Sequence, residues 1–434
     1  MRTLSDHLLH SVAGARCGVV LPAHALQAEP CDDIGPLFDG LRVHNAATPA
    51  DPANPWQTAS GAVALDAGGA ASGAIAEALE RIAAAQATFE VRPRREIPAD
   101  ARLDDAKFAL FSDAQRAKPE FPWPMPQTDD DLLAEVHALR DNRAVWVPQE
   151  LVGLGPRQGE ARMPSTSSGL AAWRDTQGGP WLAVLRAAQE LLERDALAVT
   201  WSNGLGGRTV ELPAEWRTFV AARGGTLSAF ELTQHWNPHP VVAVAGSLPF
   251  EGRPRYVMGI ACRAHRGEAL HKALLEWVQA LTFAAWLVGR QGDTLPRTPM
   301  ALRRFDEHAA FYTLRPELWA QTPLHAHAAP SGLRIDARDV HARSTPAGDA
   351  AAQLQTLNAA LGHAGIALFY RELTTRDVAA AGLRVMRVLS PQLTGLHADE
   401  RAPFLGGRCR DVAWRYPGAA SHGAWPNPLP HPLG

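Results

Sequence analysis

The sequence predicts a mixed α/β chain of the α+β class, and three observations carry that prediction. Strongly helical stretches stand far apart, at about residues 70–87, 180–201 and 268–289. Short β-branched runs, bounded by glycine and proline, lie between and after them. The alternation lacks the regular beat of βαβ units, which disfavours a purely parallel sheet.

Residues 1–56 mix Pro, Asp and Ala with short apolar runs such as CGVVL, and read as short strands and loops. Residues 70–91 (AASGAIAEALERIAAAQATFEV) form a helical pattern that closes in a strand-like FEV. From Arg92 to Asp131 the chain is dense in proline, with Pro119, Pro122, Pro124 and Pro126 close together, so no helix is expected there. Phe108, Phe111, Phe121 and Trp123 make this stretch a packed loop in place of a linker. AVWVPQELVGL (144–154) reads as a strand, and the second helix is followed by the glycine cluster NGLGGR at 203–208. PVVAVAGSL and YVMGIAC read as two buried strands before the third helix. A Pro/His-rich stretch at 321–347 precedes a helix (350–364) and the strands IALFYREL and GLRVMRVL. At the end stands WPNPLPHPLG, with Pro426, Pro428, Pro430 and Pro432 at alternate positions. Alternate prolines enforce an extended arm that cannot join a helix. A stiff arm fits delivery of a chain end to a fixed place. The organisation expected is one domain over 1–414 and a tail over 415–434.

Composition excludes several classes. At 434 residues, 46% hydrophobic with net charge -3, the chain can bury a core and presents no basic stripe for nucleic acid. Cys17, Cys31, Cys262 and Cys409 form no C-x-x-C pair. The start breaks its apolar run with Asp6, His7 and His10, and the helix around 270–288 carries His271, Lys272, Glu276 and Gln279. Neither a signal peptide nor a membrane span is expected, and the chain reads as soluble and cytoplasmic.

Familiar nucleotide and nucleophile motifs fail. Lys107, Lys118 and Lys272 are the only lysines, and none follows a glycine as a Walker A loop requires. GLGPRQG and GLGG are not dinucleotide fingerprints, and no G-x-S-x-G occurs. His325 and His327 form an H-x-H pair without carboxylate or thiol neighbours in sequence, and read as solvated loop histidines. A stronger signal is an internal echo. EALER carries Glu77, Glu80 and Arg81, and ELLER carries Glu190, Glu193 and Arg194. Residues at i, i+3 and i+4 share a helix face. Each helix thus offers two carboxylates beside a guanidinium, a set able to hold magnesium through the acids and phosphates through the arginines. Lys272, Glu276 and Gln279 make a variant on the third helix. Such faces also occur as self-paired solvated surfaces, but the echo and the apolar flanks Ile75, Leu79, Ile82, Leu191, Leu192 and Leu197 favour partly buried helices.

These motifs resemble the YcaO family, in particular its standalone cyclodehydratases of thiazole/oxazole-modified peptides. The resemblance rests on GAIAEALER, FSDAQRAKPEFPW (111–123), the V-P-x-E-L-V strand at 147–152 and SSGLAA (167–172). It continues through the E-x-x-E-R-D-A helix (190–201), the helix at 269–279, ELTTRDV (372–378), LGGR (405–408) and the proline-alternating end. It implies ATP and Mg2+ bound without a P-loop. Glu77, Glu80 and Glu190 would address magnesium, while Arg81, Arg194 and Lys272 would address phosphates. Pro428, Pro430 and Pro432 would place the Gly434 carboxylate as proton shuttle. The implied partners are a precursor peptide, a leader-binding protein resembling ubiquitin-activating enzymes and a second copy of the chain, and whether a flavin dehydrogenase follows stays open. The chain departs from the family pattern in four places, one of them Lys272, which stands where a phosphate-binding arginine is expected. Gly73 replaces a serine, Ala62 a lysine, and Gly178, Leu182 and Leu185 stand where an N-x-x-x-E-x-x-Q set is expected. The alternative reading is therefore a YcaO-fold subunit that binds peptide or a partner enzyme without ATP turnover.

Overall fold

The computed structural model describes residues 12, 28–30, 42–46, 60–64, 67–103, 108, 110–123, 128–155, 163–174, 180–250, 253–335 and 349–434. The chain divides into two compact units, each assembled from separate stretches. The first comprises residues 1–109, 123–191 and 346–392, and the second 110–122, 192–345 and 393–434.

In chain order the first unit contributes β1 (Ala28–Pro30), β2 (Arg42–Ala46), β3 (Ser60–Ala64) and helix α1 (Ala67–Gln86). It continues with β4 (Val91–Pro93), β5 (Leu132–Ala138), β6 (Ala144–Pro148), β7 (Leu170–Arg174) and the start of α2 (Trp181–Ser202). The second unit follows with β8 (Arg208–Glu211), α3 (Ala214–Ala222), β9 (Thr226–Glu231), β10 (Val241–Phe250) and β11 (Arg253–Cys262). Helix α4 (Arg266–Gln291), α5 (Phe305–Leu314) and β12 (Ala329–Arg334) complete its main body. The chain then returns to the first unit for α6 (Ala350–His363), β13 (Phe369–Glu372) and β14 (Leu383–Leu389).

In the first unit β1, β2 and β3 pair antiparallel, and α1 packs on β2 and β3. Its larger sheet runs β4-β5-β13-β14-β7, with β6 also paired to β5. Strand β7 pairs with β14 along one side, from Leu383↔Arg174 to Arg387↔Leu170, and so ends the sheet. Arg387 is fully buried behind this edge, where its guanidinium donates to the carbonyls of Val152 (2.9 Å) and Ser168 (2.8 Å). Those bonds tie the stretch before β7 to the sheet.

The second unit is a sheet in the order β11-β10-β9-β8-β12, in which only the β8–β12 pair is parallel. Strands β10 and β11 form a ten-pair hairpin, Val241↔Cys262 through Phe250↔Arg253, and α4 lies across it. Gly259 permits that approach, because a Cβ there would stand 2.1 Å from the Ala273 carbonyl and 2.3 Å from the Trp277 nitrogen. Gly259→Ala is therefore expected to lower stability by about 1–3 kcal/mol through overpacking. The check is the urea midpoint, with an unchanged m-value.

The helices expected at about 70–87, 180–201 and 268–289 stand where their periodicity places them, with ends shifted by a few residues. Other expectations are corrected. Residues 92–131 contain a helical turn, Asp113–Arg116, closed by a Ser112/Gln115 capping box that the proline density hides. The strand expected over 144–154 stops at Pro148 and turns into a 3-10 segment at Gln149–Leu151. His325 is no solvated residue: its Nδ1 faces the Thr322 hydroxyl at 2.8 Å, its ring meets Phe230 and Trp319, and burial lowers its pKa to about 4. His327 stacks on His422. Among the described residues no helix is long and apolar enough to cross a membrane.

Candidate functional site

In the first unit Glu77 and Glu80 of the first motif and Glu190 of the second lie near enough for their charges to act on one another. Glu77, Glu80 and Arg81 share one face of α1, where Arg81 lies 3.2 Å from Glu80 Oε1 and 3.8 Å from Glu77 Oε1. The second oxygen of Glu80 accepts a hydrogen bond from the Ala172 N–H at 2.8 Å. Glu190, on α2, accepts from the N–H groups of Gly169 (3.2 Å) and Leu170 (3.1 Å). Leu170 and Ala172 are two apart on β7, so their N–H groups leave the same edge of the strand, roughly 7 Å apart. The free edge of the sheet thus fixes Glu80 and Glu190 side by side.

That arrangement sets the charge chemistry. Burial raises the Glu80 pKa from 4.5 to about 7; Arg81 opposes the rise, and the charges of Glu190 and Glu77 add to it. The charges of Glu190 and Glu77 disfavour the ionised form of Glu80, and a cation bound beside it would favour that form. Among the described residues no group of three or more His, Cys, Asp or Glu side chains stands as a metal cage. Magnesium needs no such cage, since it takes one or two protein carboxylates and completes its shell with phosphate oxygens and water. The donor set around Glu80 fits that requirement.

In the second unit, Arg194 on the later part of α2 lies 3.8 Å from Glu193, whose other oxygen accepts from the Cys262 N–H at 3.1 Å. Lys272 pairs with Glu276 at 3.2 Å on α4. The tail docks in the same unit. Its prolines have no N–H to offer, so beside the Asn427 N–H, donated to Ser202 O at 2.9 Å, most of its backbone bonds are made by carbonyls. Three in succession are taken by different side chains: Leu429 O by Trp201 Nε1 (2.7 Å), Pro430 O by the Tyr312 hydroxyl (2.6 Å) and His431 O by His308 Nδ1 (3.0 Å). Pro430 and Pro432 are buried, while Pro428 and Gly434 are exposed. Glu77, Glu80, Arg81 and Glu190 therefore belong to one unit, and Arg194, Lys272, Pro428, Pro430, Pro432 and Gly434 to the other.

The departures have a structural form. A Cβ at Gly73 would lie 2.8 Å from the Ala62 methyl, so the two small residues touch where a serine and a lysine were expected. Leu182 and Leu185 are buried in the core, and Gly178 lies outside the described residues. The reading from sequence did not single out Asp195, although it follows Arg194 within the same motif. Asp195 and Arg415 are both 0% exposed and paired at 2.6 Å, and Thr394 N–H and Gln234 Nε2 also donate to the carboxylate. This fully satisfied buried pair anchors three distant segments beside Arg194; removing either partner would strand the other charge.

A family model described as an ATP- and Mg2+-binding YcaO cyclodehydratase matches residues 64–394. No curated protein matches the chain. Among solved structures, a heterocyclase in complex with substrate and cofactor aligns over 100% of this chain at TM-score 0.72 and 20% identity. This chain spans 57% of that heterocyclase, so it covers little more than half its length. The YcaO protein of Methanopyrus kandleri, bound with AMPPCP and Mg2+, aligns over 85% of this chain and 86% of its own at TM-score 0.57 and 18% identity. The E. coli microcin synthetase McbBCD complex aligns over 86% of this chain and 87% of its own, at TM-score 0.55 and 14% identity. These similarities establish a shared mixed α+β fold.

Proposed function

The chain belongs to the YcaO family, and from that premise we propose that it is an ATP-dependent peptide cyclodehydratase. In this reading a Cys, Ser or Thr side chain of a ribosomal precursor peptide attacks the preceding amide carbonyl. The resulting hemiorthoamide oxygen receives the γ-phosphoryl group, and phosphate departs to leave an azoline. An amide oxygen is a poor leaving group until it is phosphorylated, and cations stabilise the charge that develops on the phosphoryl group. Magnesium bound by Glu77, Glu80 and Glu190 would neutralise phosphate charge; Arg81, Arg194 and Lys272 would hold the phosphates. Arg81 and Arg194 offer planar forks, and Lys272 a point charge without bidentate geometry. Pro428, Pro430 and Pro432 would stiffen the arm that presents Gly434, whose carboxylate, with Gly434 as the terminal residue, would move the proton.

The observation that carries this reading is Glu80, paired with Arg81 beside Glu77 and within reach of the Glu190 charge, with its pKa raised to about 7. The proposed partners are the precursor peptide, a leader-binding protein resembling ubiquitin-activating enzymes and a second copy of the chain. The test is calorimetric titration of ATP with magnesium, followed by phosphate release on adding precursor peptide and leader-binding protein. Binding that weakens at least about tenfold in Arg81→Ala and in Arg194→Ala is expected, since each removes a charge-assisted phosphate contact.

A second reading has a specific observation behind it. Leu182 and Leu185 are packed apolar residues where polar nucleotide contacts were expected. A chain that folds but binds no nucleotide, while retaining precursor or partner binding, would be a scaffolding member of the family.

A further inference from the structure

The tail carries one side chain whose surroundings the carbonyl contacts do not account for. His431, between Pro430 and Pro432, is 1% exposed. Its ring stacks on that of His308 with centroids 4.1 Å apart and planes 15° from parallel. Its Nε2 lies 2.7 Å from the His397 carbonyl, so it donates there, which leaves Nδ1 buried without a hydrogen-bond partner. His308 in turn stands between two carbonyls, Nδ1 at 3.0 Å from His431 O and Nε2 at 3.0 Å from Ala398 O, and as a neutral ring it donates to one of them, set by its tautomer. Glu400 closes the box, 3.3 Å from His397 Nε2 and 3.8 Å from His308 Nδ1.

We propose that His431 is the positioning residue of the C-terminal tail, inserted as a peg into a socket made by His308 on α5 and by His397, Ala398 and Glu400 in the loop after β14. This deepens the reading of the tail given above and rests on it for its catalytic consequence. The physical case is that a polyproline arm has no N–H ladder to fix its register along its own axis. Carbonyl acceptors alone tolerate sliding, because every residue of the arm offers one. A single ring that must enter one socket and donate to one carbonyl does not. With the peg seated, residues 432–434 run along α5, where a Cβ at Gly434 would lie 2.6 Å from that of Ala309.

The seat is also sensitive to protonation. The charged groups facing His431 are Arg194 from α2, His308 from α5, and His397 with Glu400 from the loop; Asp399 is occupied by Arg401 and Arg303. Burial, then His308, His397 and Arg194, hold His431 well below the ordinary histidine range, and burial lowers His308 too. A docked histidine with a lowered pKa binds fewer protons than a released one. Docking is therefore fully present at neutral pH and weakens as pH falls below about 6.5.

The experiment is hydrogen exchange by mass spectrometry on the full chain, reading the amides of Asn427 and Leu429, with protection corrected for the intrinsic pH dependence. In the parent protein, protection is expected to fall at least about tenfold between neutral pH and about pH 5.5. His431→Gln retains an N–H donor of similar reach, and should keep neutral-pH protection within about threefold while flattening the pH response. His431→Leu fills the volume without the donor and should lose at least about fivefold of protection at neutral pH. Full protection in His431→Leu, or an unchanged pH response in His431→Gln, overturns the proposal. No nucleotide or peptide enters this readout. Absence of ATP binding in the calorimetric test would therefore sink the cyclodehydratase reading and leave the socket standing.

Discussion

Removing residues 428–434 is expected to abolish azoline formation, by at least about a hundredfold, while ATP–magnesium affinity changes by less than about threefold. The split follows from where the parts lie. Glu190 and Glu80 accept from the N–H groups of Gly169, Leu170 and Ala172, and Arg81 lies beside Glu80; these four residues do not belong to the tail. The tail is bound through Trp201, Tyr312, His308 and Ser202, none of which is proposed to touch nucleotide. Losing a positioned proton carrier costs turnover and not nucleotide binding. Truncation also uncovers Tyr312 and His308, so a milder variant is needed beside it. Extending the chain beyond Gly434 by two alanines keeps the docked carbonyls and displaces only the carboxylate. Both variants are expected to lose ring formation in a mass-spectrometric assay of the precursor. Full turnover in both would remove the tail from the mechanism.

The legible part of this molecule was the part written in local periodicity. The helices that carry Glu77, Glu80 and Glu190 follow from apolar residues at helical spacing, and the tail's extended form follows from its alternate prolines. The environment that gives those residues their chemistry was not legible, because it is non-local. Burial and the charges of Glu190 and Glu77 raise the Glu80 pKa to about 7, against the opposing pull of Arg81 and of the Ala172 N–H, 92 positions away in sequence. His431 meets His308 across 123 positions. One histidine on a short helix, one in a loop and one in the proline-rich tail share no sequence signal, and only the folded chain brings His308, His397 and His431 together. Asp195 is the intermediate case. Its motif was visible, but its commitment to Arg415 in place of a ligand is a matter of contacts.

Glu80→Gln is expected to act with opposite signs on stability and on nucleotide binding. The folded Glu80 titrates near 7 against 4.5 for the ordinary side chain. Between those values the folded state keeps a proton that the unfolded chain has released, so stability falls as pH rises through this window and the full cost is present above it. A shift of this size corresponds to on the order of 3 kcal/mol at about pH 8, an upper figure since some of the side chain remains open to water. Glutamine has the shape of the protonated acid and never acquires the charge. The empty variant should therefore unfold at higher urea concentration than the parent at about pH 8 and at nearly the same concentration near pH 4.5. With magnesium and ATP present the order reverses. The parent's carboxylate ionises to meet the cation, and its midpoint rises with ligand concentration as mass action requires. The variant offers a neutral amide to the same cation and should show little rise. The ionisation has its own signature: titrations of the parent near pH 7, in buffers of different ionisation enthalpy, should report about half a proton released per nucleotide bound. If the parent binds magnesium–ATP without releasing protons, Glu80 is not the ligand. If the empty variant is less stable than the parent at about pH 8, the carboxylate is not under strain in the folded chain.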